Sequence, residues 1–182
     1  ARAAAMLGPV EILVANAGGP PPGRFLDADD EGWDIAVQQN LLGTIRLIRA
    51  ALPGMRAAGW GRIVTVTSTS VREVIDGLAL SNATRAGVAG AVRTLAREVA
   101  GEGITVNNVL PGPILTDRMR QLLSSQPDLD AAIAARGAQN PTGRVGDPAE
   151  VGDLVAFLAS ARAAFITGAS VMIDGGESRV VG

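Results

Sequence analysis

Apolar and polar residues follow each other along this chain in two different periods. Short apolar or β-branched runs with Gly or Pro nearby are typical of buried strands, and apolar residues spaced three or four positions apart are typical of helices. Strands and helices predicted in this way alternate, which indicates an α/β fold built on a parallel sheet. The predicted strands are 10–15, 62–67, 104–109 and 169–173, and the two long predicted helices begin at about Asp30 and run from about Leu80 to Ala100.

The helix that begins near Asp30 carries a polar residue inside an apolar pattern. Its predicted apolar face consists of Trp33, Val37, Leu41, Ile45 and Ile48. Asn40 lies within this stretch, where an asparagine is intrinsically unfavourable, so we expect either solvent exposure or a role. Pro53 and Gly54 weaken the far end of the helix. Residues 1–7 are typical of a helix tail, and Asp147-Pro148 begins the last helix as N-cap and first residue.

Glycine, serine and proline follow three of the predicted strands. Asn16-Ala17-Gly18-Gly19 follows the first, Ser68-Thr69-Ser70 the second, and residues 111–116 the third. The carboxyl ends of parallel strands meet at one edge of the sheet, which is where ligands bind in such folds. An ordinary glycine turn is the alternative at Gly18. After the third strand, the alternative is a proline-ordered turn with Thr116 or Asp117 as helix N-cap.

Composition limits the classes of partner. The 182 residues are 47% hydrophobic, which suits a single domain spanning 1–182. The net charge is −2, the pI is near 5.1 and the arginines are spread along the chain, so the sequence does not indicate a basic surface that binds nucleic acid. No apolar run reaches the length of a membrane span, and we expect neither a transmembrane helix nor a signal peptide. The lack of cysteine removes disulfides and structural zinc and agrees with a cytoplasmic location; no metal site is expected.

The order and spacing of five segments resemble the short-chain dehydrogenase/reductase family, and in particular its 3-oxoacyl-acyl-carrier-protein reductases. The segments are Asn16-Ala17-Gly18, Asn40, Ser68, residues 111–116 and Ile173-Asp174-Gly175-Gly176. The resemblance implies the C-terminal portion of a Rossmann-like, doubly wound parallel sheet. It also implies NAD or NADP as cofactor, a small ketone or alcohol, possibly a 3-oxoacyl thioester, as substrate, and a homo-oligomer.

The resemblance also implies roles for individual positions. In the family a Tyr follows the catalytic Ser by thirteen residues, and a Lys follows the Tyr by four. Counting from Ser68, these positions hold Ser81 and Arg85. The implied catalytic positions are Ser68, Ser81, Arg85 and Asn40. The implied cofactor-binding positions are Asn16, Ala17, Gly18, Pro111, Gly112, Ile114 and Thr116.

The exchange at positions 81 and 85 changes the chemistry. Reduction of a ketone leaves an alkoxide that needs a proton. In the family the Lys lowers the pKa of the Tyr phenol, but a serine hydroxyl is a far weaker acid and too short to reach the same place. The planar guanidinium of Arg85 does not replace an ammonium. The chain has no Tyr, Lys, His or Cys, so Ser68, a loop carboxylate (Glu73 or Asp76) or water would supply the proton.

Two function classes therefore stand. The first is an NAD(P)-dependent oxidoreductase with an atypical Ser81/Arg85 pair. The second is a catalytically silent homologue that binds or assembles, in which Asn40, without the family's Lys as relay partner, has a structural role only. The small residues Ala83, Ala86, Gly87 and Gly90 permit close helix packing and fit a homo-oligomer.

The family's N-terminal Gly-rich turn does not occur in these 182 residues. We therefore expect the chain to be a fragment or to lack an N-terminal part, with cofactor binding weak or absent in that case. The strand at 10–15 would then be an exposed apolar edge. Residues 117–142 resemble the family's substrate lid, which sets substrate choice.

Overall fold

Four parallel strands form the centre of the molecule. The computed structural model describes residue 6 and residues 8–181. The strands are β1 (Ile12–Ala15), β2 (Gly61–Val66), β3 (Ile104–Pro111) and β4 (Ser170–Ile173), and they lie in the order β1-β2-β3-β4 with every pair parallel. The predicted α/β class and parallel sheet are confirmed. The helix tail predicted for residues 1–7 lies outside the described residues except at Met6, which is helical.

Six α-helices and one π-helical segment surround the sheet in the described part of the chain. They are α1 (Asp30–Ala36), the π-helical segment (Val37–Leu42), α2 (Gly43–Ala58), α3 (Ala79–Val99), α4 (Asp117–Leu123), α5 (Leu129–Ala138) and α6 (Pro148–Ala159). The predicted start of α6 is confirmed, since Asp147 Oδ1 accepts a hydrogen bond from the backbone N–H of Ala149 at 2.8 Å and Pro148 is the first helical residue. None of the described helices has the length and apolar character needed to cross a membrane.

Helices cover both faces of the sheet, and each face has its own apolar core. On one face α2 and α3 pack against β2 and β3; on the other, α6 packs against the same two strands. Alternate residues of β2 point to opposite faces, so Ile63 joins the first core and Val64 the second. Both are fully buried. The sheet is therefore doubly wound, as the sequence predicted.

The face that the first long helix buries differs from the predicted one. Its buried positions are Ala36, Asn40, Thr44, Ile48, Ala51 and Met55. The cause is the π-helical segment, in which the N–H of Gly43 bonds to the carbonyl of Gln38, five residues earlier. The extra residue in this turn rotates the helix, so that of the predicted stripe only Ile48 is fully buried. Asn40 is thus buried within the helix and not exposed to solvent.

The structure shows where the long helix ends and corrects one further prediction, the burial of β1. Helix α2 continues through Pro53 and ends five residues later, where Gly59 takes the left-handed conformation with φ 62°. Strand β1 was expected to be a buried strand, yet Ile12 and Val14 are 47% and 45% exposed because β1 is the edge of the sheet. Leu13, between them, packs on the first core. The exposed apolar edge agrees with the expectation for a strand that lacks an outer neighbour.

Candidate functional site

A small cleft lies at the carboxyl ends of β1 and β2. It is lined on one side by the sheet and on the other by the π-helical segment and α3, and it brings together three predicted site residues: Ala17, Asn40 and Arg85. These residues are far apart in sequence and meet because parallel strands end at the same edge. The remaining lining residues are Ala15, Thr44, Thr65, Val66, Thr67 and Val88.

Asn40 presents an unused hydrogen-bond acceptor at this cleft. Its Nδ2 donates to the backbone carbonyl of Ala36 at 3.3 Å, and the backbone carbonyl of Asn40 accepts from Thr44 Oγ1 at 2.8 Å. Its Oδ1 is buried and has no partner among the described residues. Because an unsatisfied buried acceptor is costly, Oδ1 is a natural acceptor for a water or a ligand donor in the cleft.

Ser81 and Arg85 form a bonded pair on α3. Their spacing of four residues places them on one helix face, and Nε of Arg85 donates to Oγ of Ser81 at 3.1 Å. Nη1 of Arg85 donates to the carbonyl of Val66, at the end of β2, at 3.3 Å. Burial lowers the pKa of Arg85, and the nearby charge of Arg118 lowers it further. The guanidinium therefore anchors α3 to the end of the central strand.

Ser68 caps a turn beside the cleft. It is half-buried, and its Oγ accepts a hydrogen bond from the backbone N–H of Ser70 at 3.1 Å, at the start of a 3-10 turn spanning Thr69–Val71. The alternative proton donors in the following loop, Glu73 and Asp76, are both exposed. Glu73 accepts a hydrogen bond from Ser178 Oγ at 3.0 Å. The burial that a loop acid would need in order to act as a proton donor is absent.

The predicted cofactor residues after β3 lie apart from this cleft. The N–H of Gly112 bonds to the carbonyl of Ile173 at 3.0 Å, and Asp174 packs so closely on Gly112 that a Cβ there would lie 2.6 Å from its Cβ. Ile114 is 8% exposed and pairs with Gly146. With Pro113, Ile114 lines a second cleft beside Asn140 and Asp174.

The other cofactor positions have mixed surroundings. Thr116 is the N-cap of α4, because its Oγ1 accepts from the N–H of Met119 at 3.3 Å. Asn16, directly after β1, is exposed, and no hydrogen bond of its side chain exists among the described residues. Gly18 is open, since nothing lies within 4 Å of the place where a Cβ would stand.

Arg118 is a site residue that the sequence reasoning missed. It stands in the first turn of α4, and its Nη2 donates to the carbonyl of Pro20 at 2.8 Å, which brings α4 over the turn after β1. A cation in the first turn of a helix is opposed by the helix dipole. That unfavourable placement is the signal from which the residue could have been found.

Comparisons with known proteins agree with this geometry. A family model described as enoyl-(acyl carrier protein) reductase matches residues 1–178. The 3-oxoacyl-[acyl-carrier-protein] reductase FabG of Vibrio cholerae is 41% identical over 169 residues, which are 93% of this chain and 67% of that protein. The acetoacetyl-CoA reductase of Rhizobium meliloti is 39% identical over 177 residues, 97% of this chain and 71% of that protein. The chain belongs to the short-chain dehydrogenase/reductase family.

Solved structures of reductases share the fold. YwfH, described as an NADPH-dependent reductase of bacilysin biosynthesis, superposes with a TM-score of 0.93 at 27% identity, over 99% of this chain and 71% of that one. The L-sorbose reductase of Gluconobacter frateurii, complexed with NADPH and L-sorbose, gives a TM-score of 0.91 at 29% identity, with the same coverage. The predicted Rossmann-like fold and the predicted similarity to 3-oxoacyl-acyl-carrier-protein reductases are confirmed.

Several polar residues line the cleft. They are Arg85, Asn40, Thr44, Thr65 and Thr67. Two of these, Thr65 and Thr67, donate to Oδ1 of Asn108 at 2.9 and 2.8 Å. In the part of the chain that the structure describes, no group of His, Cys, Asp or Glu side chains could hold a metal ion.

Proposed function

We propose that the chain is an NAD(P)-dependent oxidoreductase that moves hydride between a nicotinamide and a small ketone or alcohol, with a 3-oxoacyl thioester as one candidate substrate. The observation that carries the proposal is the cleft at the ends of β1 and β2, where Asn40 and Arg85 meet and which the Ser68 turn adjoins. The relatives and structural neighbours named above are reductases, two of them described with NADPH.

The cleft itself is only large enough for a water molecule, so on our proposal the nicotinamide lies across its mouth. The open space at Gly18 allows a flat ring to approach the backbone, and the free Oδ1 of Asn40 accepts from a hydroxyl or a water. When bound, a reduced nicotinamide would supply a hydride to the carbonyl carbon of the substrate. The π electrons of the carbonyl bond then move onto its oxygen, which becomes an alkoxide. On our proposal Asn16, Ala17, Gly18 and the segment Pro111, Gly112, Ile114 and Thr116 lie along the cofactor.

The Ser81/Arg85 pair takes a different role from the family's Tyr and Lys. The Arg85 guanidinium holds a full positive charge close to Ser81 Oγ, so the pair stabilises a developing alkoxide electrostatically. The Ser68 hydroxyl donates a hydrogen bond to the same oxygen. The proton itself then comes from water, because Ser81 is too weak an acid and the loop carboxylates are exposed.

Restoring the family pair tests this proposal. The double variant Ser81→Tyr with Arg85→Lys gains a phenol next to an ammonium, and we expect its turnover of ketones with NADPH to rise by about 10² or more, the usual range for a positioned general acid. The measurement is the steady-state rate over a panel of ketones. Arg97→Lys, an exposed exchange on the same helix, is the matched control and should leave the rate unchanged. Ser68→Ala should lower it.

A catalytically silent homologue is the second candidate, and one observation favours it. Among the described residues, no Asp or Glu lines the cleft, and the groups bonded to Arg85 are the Ser81 hydroxyl and a backbone carbonyl. NADPH binding without turnover, in both the original protein and the double variant, would contradict the oxidoreductase proposal and support a binding role.

We also propose a single domain, a homo-oligomer and a cytoplasmic location. Ala83, Ala86 and Gly90 form an exposed small-residue surface on α3, which suits close packing against a second copy. Gly87 instead packs inward, since a Cβ there would lie 3.2 Å from a methyl carbon of Leu41. Light scattering coupled to size exclusion measures the molecular mass, and a monomer would contradict the oligomer.

A further inference from the structure

Two guanidinium groups converge on the turn after β1. Arg85 comes from α3 and Arg118 from α4, and both reach Gly19. A Cβ on Gly19 would lie 3.6 Å from Nη2 of Arg85 and 3.9 Å from Nε of Arg118. Two like charges placed this closely repel each other. Such a juxtaposition is unfavourable unless something of opposite charge joins it.

No side chain in the described residues neutralises these two cations. Arg85 bonds only to the Ser81 hydroxyl and the Val66 carbonyl, and Arg118 only to the Pro20 carbonyl. Ion pairs among the described residues include Arg56–Glu102, Arg136–Glu177 and Arg144–Glu150, and none of these three involves Arg85 or Arg118. A guanidinium has five N–H donors, so donors of both groups stay available.

We propose that Arg85 and Arg118 together bind the anionic group of a ligand, a carboxylate or a phosphate, in front of Gly19. A guanidinium presents parallel N–H groups that match the two oxygens of such an anion. The anion would offset the repulsion between the two cations. Gly18 leaves open space beside the pair.

This proposal rests on the proposed function for the nature of the ligand, which is the substrate or the cofactor. It adds that the ligand carries an acidic group that binds next to the cleft. The site needs no turnover in order to be tested. Binding and catalysis can therefore fail separately.

Binding of simple anions to the purified protein tests the proposal. Inorganic phosphate and malonate are titrated at constant ionic strength, so that general screening does not change, and the dissociation constant is measured by calorimetry. We expect saturable binding that Arg118→Gln weakens about tenfold or more, because charge-assisted hydrogen bonds are lost. Arg120→Gln, an exposed arginine on the same helix, is the matched control and should bind as the original protein does.

One further variant and one further measurement exclude a simple loss of folding. Arg118→Lys keeps the charge but not the two-pronged donor, and an intermediate affinity is expected. The thermal midpoint of each variant in chloride alone shows whether it is folded. Equal binding by Arg118→Gln and Arg120→Gln, or no binding of either anion to the original protein, would overturn the proposal.

Two larger probes distinguish the source of the anion. A 3-oxo carboxylate is compared with its methyl ester, and NADP⁺ is titrated separately. If Arg118→Gln weakens binding of the carboxylate and leaves binding of NADP⁺ unchanged, the anion belongs to the substrate. If it weakens binding of NADP⁺, the anion is a cofactor phosphate. Anion binding that depends on Arg118 in a protein without turnover would support this site while contradicting the oxidoreductase.

Discussion

The carboxylate of Glu150, in the first turn of α6, accepts three hydrogen bonds. It accepts from both terminal nitrogens of Arg144, at 2.8 and 2.7 Å, and from the backbone N–H of Asp147 at 2.7 Å. The hydrogen bonds from Arg144 contribute most to lowering the pKa of Glu150 to about 2, and the Asp147 N–H adds to them. The charge also lies at a helix N-terminus, which favours it.

A pH dependence of stability follows from Glu150. In the unfolded chain this carboxylate takes a proton near its ordinary pKa of 4.5, but in the folded protein only near 2. The stabilisation is therefore fully present above about 4.5 and is lost as the pH falls toward 2. We expect Glu150→Gln to flatten the decline of the thermal midpoint between pH 5 and pH 3. Asp153→Asn, on the same helix, should keep the original slope, and an unchanged slope in Glu150→Gln would contradict the assignment.

Individual site residues were predictable where the contact is local. The Ser81–Arg85 hydrogen bond follows from a spacing of four residues on a helix. The contact of Arg118 with Pro20 joins residues 98 positions apart, and no local pattern indicates it. Asn40 was only partly predictable. The sequence indicates a polar residue inside an apolar helix, but the unpaired Oδ1 depends on how that helix packs. The anion site could therefore not be assembled before the fold was known.

Among the secondary-structure elements, the regular strands and helices were predicted more accurately than the irregular turn between α1 and α2. Strands rich in Val and Ile and helices with caps carry their signals within a few residues, as β2 and α6 do. The π-helical segment Val37–Leu42 carries no such signal, since the bonding of a single turn to the carbonyl five residues earlier has no local sequence pattern of its own. Pro53 is the other irregular feature, an exposed proline inside a continuous helix.

Replacing Pro53 should stabilise α2. An alanine there offers an N–H to the carbonyl of Arg49 and removes the clash of the ring, and no packing is lost because the residue is exposed. We expect Pro53→Ala to raise the free energy of unfolding by about 2 kcal/mol in urea denaturation. Gly54→Ala provides the contrast, because its new Cβ would lie 3.2 Å from Cβ of Pro9 and offset the gain in helix propensity. A lower denaturation midpoint for Pro53→Ala would contradict this.

At the scale of the whole molecule, β1 is one of the two edge strands of the sheet. Beyond β1 no strand pairs in the described residues, and Ile12 and Val14 are nearly half exposed. The chain spans 67 to 71% of the length of the reductases compared above. An exposed apolar edge strand has backbone N–H and C=O groups that are free to pair with a strand of another chain.

Self-association should therefore depend on this edge. Val14→Lys places a charge at the exposed position, and we expect it to lower concentration-dependent light scattering while changing the free energy of unfolding by less than about 0.5 kcal/mol. Leu13→Ala, on the opposite face, removes core packing and should cost about 2 kcal/mol without reducing the scattering. Equal scattering by Val14→Lys and the original protein would show that the edge is not the contact.

The π-helical segment has a consequence for chain length. It holds one residue more than an α-helical turn, and the exposed Gln38 and Gln39 are the positions where that residue can be removed. We expect a one-residue deletion there to leave α-helical bonding throughout and to keep α2 in its place on the sheet. The fold should then accommodate two lengths of this segment, with Asn40 oriented differently at the cleft in each.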